Sequence, residues 1–538
     1  MKQTKLSLLM TPPKPDKPGA KNKNERSHMT DTTIEHLIAP FEQSAAALNA
    51  PDRDPLTYGA LNQLVADTIL KLNDLGIGRN DPVAIILPNG PEMATAFVAI
   101  ASAATSAPLN PAYREDELDF YLSDLNARAL VIGQGMDSPA RAVAAKHGVM
   151  IIELVVDEAA PAGSFTLQLE DQTIVPVKTA NGGSAQADDV ALVLHTSGTT
   201  SRPKIVPLSH RNVCTSAINI GKTLALSETD RCLNVMPLFH IHGLIAAVLS
   251  SLAAGASIFC TPGFNALKFF GWMDDACPSW YTAVPTMHQT ILARAPRNVE
   301  SLERAELRFV RSSSAALPPQ VLLQLEETFG CRVIEAYGMT EAAHQMASNP
   351  LEPMDRKPGT VGIAAGPEVG IMDDDGNILA QGDTGEIVIR GDNVTTGYQN
   401  NDEANATGFT GGWFRTGDQG NLDAQGYLTI TGRLKEIINR GGEKISPREV
   451  DEVLLDHPDI AQIVTFAMPH DKLGEEVAAA VVLNEGSEAD ERSIRDYASS
   501  RLADFKVPRK VVILEEIPKG ATGKVQRIGL AEKLGLTS

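Results

Sequence analysis

Basic side chains are in short supply. Against 67 Asp and Glu the chain sets only 47 Lys and Arg, for a formal charge of -20 at neutral pH. A surface of that sign repels nucleic-acid backbones and anionic headgroups, so neither nucleic acid nor a membrane surface is expected as a partner. Any phosphate must be held by local groups. Cysteine is rarer still: Cys214, Cys232, Cys260, Cys277 and Cys331 lie far apart and form no C-x-x-C pair. That spacing argues against a disulfide framework and a zinc site, and a reducing, cytoplasmic setting fits it. Two stretches lack charge for long enough to raise the question of a membrane span, Met93 to Tyr113 and Leu244 to Cys260. The first holds Pro108 and Pro111 and the second is diluted by Ser, Ala and Gly. Both read as buried helix-to-strand units and not as membrane spans.

What is present suits a globular enzyme or scaffold. At 538 residues, 43% hydrophobic and 21% charged, the chain can bury sizeable cores, and roughly 150 residues per domain allows two to four domains. Residues 1-28 are rich in Lys, with three prolines among residues 12 to 15, and are expected to be a disordered leader and not a targeting signal. Leu536-Thr537-Ser538 is not a peroxisomal address. From about residue 34 to 430, apolar runs (Val83 to Leu87, Ala129 to Ile132, Val190 to Leu194, Ser257 to Cys260, Arg332 to Ile334) alternate with helical patterns (Leu61 to Leu75, Glu92 to Ala104, Pro319 to Phe329). The fold class predicted is α/β, a large N-terminal domain (29-432) of mixed, mostly parallel sheets. Turn-rich sequence at about 360-430 predicts a β-rich subdomain within it. After Arg433 a smaller, mobile α+β lobe (433-538) is expected, with helices at Pro447 to Leu455 and Glu491 to Arg501. Its strands are placed at Ala461 to Ala467, Glu476 to Leu483 and Lys510 to Leu514. There is no internal repeat.

The clearest chemical signal is His195-Thr196-Ser197-Gly198-Thr199-Thr200-Ser201-Arg202-Pro203-Lys204, directly after an apolar strand. Hydroxyls, one glycine and a lysine so close together make a donor-rich loop suited to polyphosphate. It is not a Walker loop, since the G-x-x-x-x-G-K-[ST] spacing is absent. Six further motifs follow in order: Met236-Pro237-Leu238-Phe239-His240, Tyr337-Gly338-Met339-Thr340-Glu341, Thr384-Gly385-Glu386, Trp413-Phe414-Arg415-Thr416-Gly417-Asp418, Gly432-Arg433-Leu434-Lys435-Glu436 and Pro518-Lys519-Gly520-Ala521-Thr522-Gly523-Lys524. Together these resemble the adenylate-forming superfamily of acyl-CoA synthetases, luciferase and adenylation domains, over nearly the whole chain from about residue 35.

The resemblance implies ATP, Mg2+ and coenzyme A, and an activity in two steps: acyl-adenylate with release of pyrophosphate, then thioester with release of AMP. It implies that Thr196, Ser197, Gly198, Thr199, Thr200 and Lys204 hold phosphates. Adenine would stack on Tyr337, with Glu335, Ala336, Ser314 and Ala315 around it. Asp418 and Arg433 would bind ribose, Thr340 the α-phosphate and Glu341 the magnesium ion. Lys524 would bridge the attacking carboxylate and the phosphate, with His240 nearby in the catalytic set. Lys435 would be the hinge between domain and lobe. Asn439, Gly441 and Gly442 would form a loop on the coenzyme A tunnel. Many relatives carry Lys at the place of Asn439, so that cationic contact is either missing or moved to Arg440.

For the acid, polar residues stand where walls are often apolar: His242, His288, His344, Arg311 and the Ser312, Ser313, Ser314 run. A buried histidine is as readily a satisfied core residue as a ligand. Together, and with Ser201-Arg202 in the phosphate loop, they resemble the oxalate–CoA ligase branch. They suit a small acid with a second negative group. His242, Ser312, Ser313 and His344 are the expected pocket, in a monomer or homodimer. A CoA ligase for another short-chain or hydroxycinnamate-like acid is one alternative, and a non-catalytic nucleotide or acyl binder on the same fold is another.

Overall fold

The computed structural model describes residues 32–196, 203–518 and 525–536; the leader, residues 1-28, lies outside them. The described chain is α/β as predicted. A seven-stranded sheet runs in the order Thr166–Leu169, Met150–Val155, Ala129–Gly133, Pro82–Ile86, Thr105–Pro108, Val190–Thr196, Lys204–Ser209. Its five central strands are parallel and each edge strand is antiparallel. A nine-stranded sheet has the order Ile363–Ala364, His344–Ser348, Arg332–Met339, Phe309–Ser312, Trp280–Ala283, Arg231–Asn234, Ser257–Cys260, Ala46–Ala50, Arg53–Thr57. It is parallel from Arg332–Met339 to Ala46–Ala50.

Both sheets read as unbroken apolar runs because helices cover both faces of the parallel strands. One core joins Val83 and Ile85 of the first sheet and Ile258 and Ile334 of the second to Phe97, Val213 and Ile245 on the intervening helices. On the nine-stranded sheet the neighbouring residues Leu233, Tyr281, Val310 and Val333 point the other way, into a second core with Phe269, Ile291 and Leu322. This alternation decides which polar side chains of that sheet can meet.

The two charge-free stretches resolve as expected. Pro91–Ala101 is a helix followed by the strand Thr105–Pro108, and His242–Ala253 is helical before Ser257–Cys260. Among the described residues no helix is long and apolar enough to cross a membrane. The β-rich subdomain is an antiparallel sheet of Glu368–Met372, Gly385–Arg390, Trp413–Leu422, Phe409–Thr410 and Leu428–Arg433. The C-terminal lobe pairs Ile460–His470 with Gly474–Leu483, lays Lys510–Ile513 parallel to the latter, and packs helices Pro447–Leu455 and Glu491–Ser499 over them. Residues 439–444, read from sequence as a loop, belong instead to a hairpin of Ile438–Arg440 and Glu443–Ile445. Its two-residue turn requires positive φ twice, which Gly441 (φ +61°) and Gly442 (φ +101°) supply.

Candidate active site

The corner expected to hold ribose is set by two motifs working against each other. Trp413–Leu422 bends at Gly417 (φ +75°), and Glu386 on the facing strand holds the bend. Arg415 Nε donates to Glu386 Oε2 at 2.6 Å and the Gly417 amide to Oε1 at 2.9 Å. The Thr416 hydroxyl donates to the Ile387 carbonyl at 2.7 Å and accepts from the Asp418 amide at 3.1 Å. The result aims Asp418 at Tyr337, whose hydroxyl donates to Oδ2, while Arg433 Nε donates to Oδ1 at 3.0 Å. Burial, then the Asp418 charge, hold the Tyr337 phenol well above its ordinary range. Glu335 and Ala336 precede Tyr337 on one strand, and Ser314 and Ala315 follow the strand paired with it. Glu386 and Arg415 were quoted as motif residues without a role; the structure makes them the frame for Asp418.

At the corner expected to hold phosphate, Val190–Thr196 and Lys204–Ser209 pair antiparallel with Thr196 opposite Lys204. The strands on either side of the donor-rich segment are therefore antiparallel neighbours, whereas a Walker loop stands between a strand and a helix. Ser197, Gly198, Thr199 and Thr200 lie outside the described residues, as does Lys524. Lys204 Nζ sits 4.5 Å from the centroid of the Tyr398 ring, and the Tyr398 hydroxyl donates to Glu341 Oε1 at 2.8 Å. The Gln399 amide bonds Ile205 at 3.0 Å, which ties the Tyr398 turn to the phosphate hairpin. Tyr398 was missed, because a lone tyrosine in a turn gives no periodic signal. Glu341 is buried on the turn Thr340–Ala342, with Thr340 half-buried beside it. Burial raises its carboxyl above the ordinary range, opposed by Tyr398, Arg433 and Lys204. A buried carboxylate with one oxygen already bonded suits a cation that arrives on ATP and takes few protein ligands. Among the described residues no cluster of three or more His, Cys, Asp or Glu forms a protein cage for a metal.

The corner expected to hold the acid starts at His242, the first residue of a π-helical segment, His242–Leu249, a geometry often found at functional sites. His242 Nδ1 lies 2.9 Å from Ser314 Oγ, and Nε2 lies 2.7 Å from Thr282 Oγ1 and 3.4 Å from Arg311 Nη1. The His344 ring centroid is 5.0 Å from that of His242. His344 is placed by an unusual backbone: Ala343 has φ +47° and His344 φ +97°. Left-handed geometry at two successive non-glycine residues costs of order 1–3 kcal/mol each and persists only where the surroundings impose it. Gly338, on the facing strand, is part of that imposition, since a Cβ there would stand 1.7 Å from the His344 carbonyl oxygen. Half-buried His240 lies against Phe239, with ring centroids 4.6 Å apart.

Three sequence expectations need correction here. His288 does not join the group: it bonds Tyr281, at 3.3 Å between Oη and Nδ1, and Tyr281 faces away from its neighbour Thr282 into the second core. Complete burial pushes the His288 imidazole down to about 4, so it is a neutral core residue. Ser312 alternates with Arg311 along Phe309–Ser312 and so faces away from His242. The Ser313 hydroxyl is occupied by the Ala336 carbonyl at 2.8 Å. Of the three serines it is Ser314, held at φ +72°, that reaches the histidine.

Lys435 is exposed in the turn between Leu428–Arg433 and Ile438–Arg440. Beside it the Leu434 amide bonds Gly417 at 2.9 Å. Asn439, Gly441 and Gly442 are exposed on the hairpin. Arg440 is not free to replace a missing lysine, because its Nε donates to Glu476 Oε1 at 2.6 Å.

Comparison with known proteins agrees with this geometry. The AMP-binding enzyme family matches residues 38–399, and the AMP-binding enzyme C-terminal domain matches residues 449–524. An oxalate–CoA ligase of Arabidopsis thaliana is 47% identical over 499 residues, 92% of this chain and 96% of that protein. An oxalate–CoA ligase of Saccharomyces cerevisiae is 40% identical over 535 residues, 95% of this chain and 94% of that one. Among solved structures, ATP-bound MatB from Rhodopseudomonas palustris superposes with a TM-score of 0.82 at 29% identity, covering 93% of this chain and 98% of its own.

Proposed function

The chain belongs to the AMP-binding enzyme family, and from that premise we propose that the acid it joins to coenzyme A is oxalate. It is an ATP-dependent, AMP-forming acid–CoA ligase that uses ATP, Mg2+ and coenzyme A. In the first step an acid oxygen attacks the α-phosphorus, the bond to pyrophosphate breaks, and an acyl-adenylate forms. In the second the thiol of coenzyme A loses its proton, sulfur bonds the acyl carbon, and AMP leaves. No protein nucleophile is needed, because placement and charge neutralisation lower the barrier.

In this reading Tyr337, with Glu335, Ala336 and Ala315, receives adenine, and Asp418, steadied by Glu386 and Arg433, accepts the ribose hydroxyls. Glu341, held by Tyr398, is the carboxylate for magnesium, which would neutralise phosphate charge. Thr196, Lys204 and Thr340 serve the phosphates with Ser197 to Thr200. Lys524, with His240 in the same catalytic set, serves the adenylation step, and Lys435 is the hinge that brings Asn439, Gly441 and Gly442 to coenzyme A.

The observation that carries oxalate is the joined polar group His242, Ser314, Thr282 and Arg311 with His344 beside it, every one but Ser314 buried. Such donors replace the hydration of a second carboxylate, whereas a long or aromatic acid would leave them unpaired. The two oxalate–CoA ligases among the relatives point the same way. Five free cysteines fit the reducing cytoplasm. ATP–pyrophosphate exchange over a panel of acids, without coenzyme A, tests the assignment: exchange should depend on oxalate, and exchange driven better by acetate or 4-coumarate would refute it.

A further inference from the structure

Arg311 is fully buried, at 0% exposure. Among the described residues it forms no ion pair, and its Nε finds no partner. Its bonds are to His242 Nε2 at 3.4 Å and Gln345 Oε1 at 3.3 Å, neither of them a carboxylate. Gln345 is itself fixed by its amide nitrogen to Thr223 Oγ1 at 3.1 Å and the Ala365 carbonyl at 3.0 Å. A buried cation without a carboxylate is costly, and the cost falls when an anion arrives nearby. Burial drives the guanidinium down to about 9, which still leaves it charged at neutral pH.

Arginine can only donate. The His242 nitrogen that faces it must therefore be the acceptor, since an N–H there would oppose the guanidinium. The Thr282 hydroxyl can donate to that same nitrogen at 2.7 Å. The imidazole proton is then on Nδ1, where it is donated to Ser314 Oγ at 2.9 Å. Ser314 accepts that bond, so its own hydroxyl proton is left to be given to something else.

We propose that Arg311 is a positioning residue that tunes the acid site for a dianion: it holds His242 as the Nδ1–H tautomer, turns the Ser314 hydroxyl into a donor, and provides an unneutralised positive charge behind both. The choice of dianion rests on the oxalate reading; the tautomer does not.

Two measurements separate these. Histidine 15N NMR of the full chain, with the His242 signal assigned by its loss in His242→Asn, should show neutral Nδ1–H imidazole at pH 7. The Nε2–H tautomer or an imidazolium would overturn the proposal whichever acid is used. Calorimetric binding of oxalate and of glyoxylate, a monoanion of the same length, to the parent, Arg311→Met and Arg311→Lys supplies the second. Arg311→Met should weaken oxalate on the order of a hundredfold, glyoxylate by no more than about threefold, and ATP not at all. Arg311→Lys should restore most of the oxalate affinity. Equal losses for both acids, or a parallel loss of ATP, would reduce Arg311 to a packing residue and overturn the proposal. A parent that binds no oxalate yet shows the stated tautomer would refute the substrate and leave the positioning role standing.

Discussion

Glu335 shows how one side chain can record the environment of a site. It is 1% exposed, its Oε1 accepts from the Leu317 amide at 3.0 Å, and its Oε2 has no partner among the described residues. Burial raises its carboxyl from the ordinary 4.5 to about 7, partly offset by the Leu317 amide and by Arg448 on the C-terminal lobe. The folded protein therefore keeps a proton through a window in which the unfolded chain has lost it, and stability falls as pH rises from 4.5 to about 7. The full effect is at most about 3 kcal/mol. Glu335→Gln keeps the Leu317 bond and removes the ionisation, so its Tm should exceed that of the parent at pH 8 and match it at pH 4.5. A constant difference across that range would contradict the assignment. Tyr398 makes a second residue-scale case. Tyr398→Phe removes the hydrogen bond to a buried carboxylate and should lower oxalate-dependent pyrophosphate exchange about tenfold. Full exchange at limiting Mg2+ would show that Glu341 does not rely on it.

The strands around the site explain which parts of it were legible. The motif Tyr337-Gly338-Met339-Thr340-Glu341 needs glycine because the strand His344–Ser348 passes so close to it. Gly338→Ala should cost about 3 kcal/mol through forced overpacking and should disturb His344 along with it. Denaturant unfolding together with oxalate KM tests this, and an alanine variant unchanged in both would refute the contact. The residues proposed for the nucleotide stand out in advance because they sit in contiguous strings. The proposed acid site does not, because its members come from the helical segment at His242, the strand ends at Thr282 and Arg311, the turn at Ser314 and the strained start of His344–Ser348. Polarity put His288 and Ser312 in that group, and the bond of His288 to Tyr281 and the strand alternation at Ser312 take them out. The same alternation brought in Thr282, which carries no motif. The hairpin at 438–445 was missed because its strands are three residues each, too short for a period to show.

At the scale of the whole molecule, the charge of -20 opposes the approach of an acid and of ATP, and local cations must outweigh it. The hinge proposed at Lys435 would divide the labour between the large domain and the lobe that follows it. Proline at the hinge would fix φ and hold one arrangement. Lys435→Pro should leave acid-dependent pyrophosphate exchange measurable while suppressing thioester formation from added coenzyme A. Equal retention of both half-reactions would contradict a rotating lobe. The central claim, that a buried polar site selects a small dianion, is tested most directly by kcat/KM of the parent protein for oxalate, malonate, acetate and 4-coumarate at saturating ATP and coenzyme A. Oxalate should rank first, with malonate poor because one more methylene moves its second carboxylate off Ser314 and His242; a higher value for any of the other three would contradict the account.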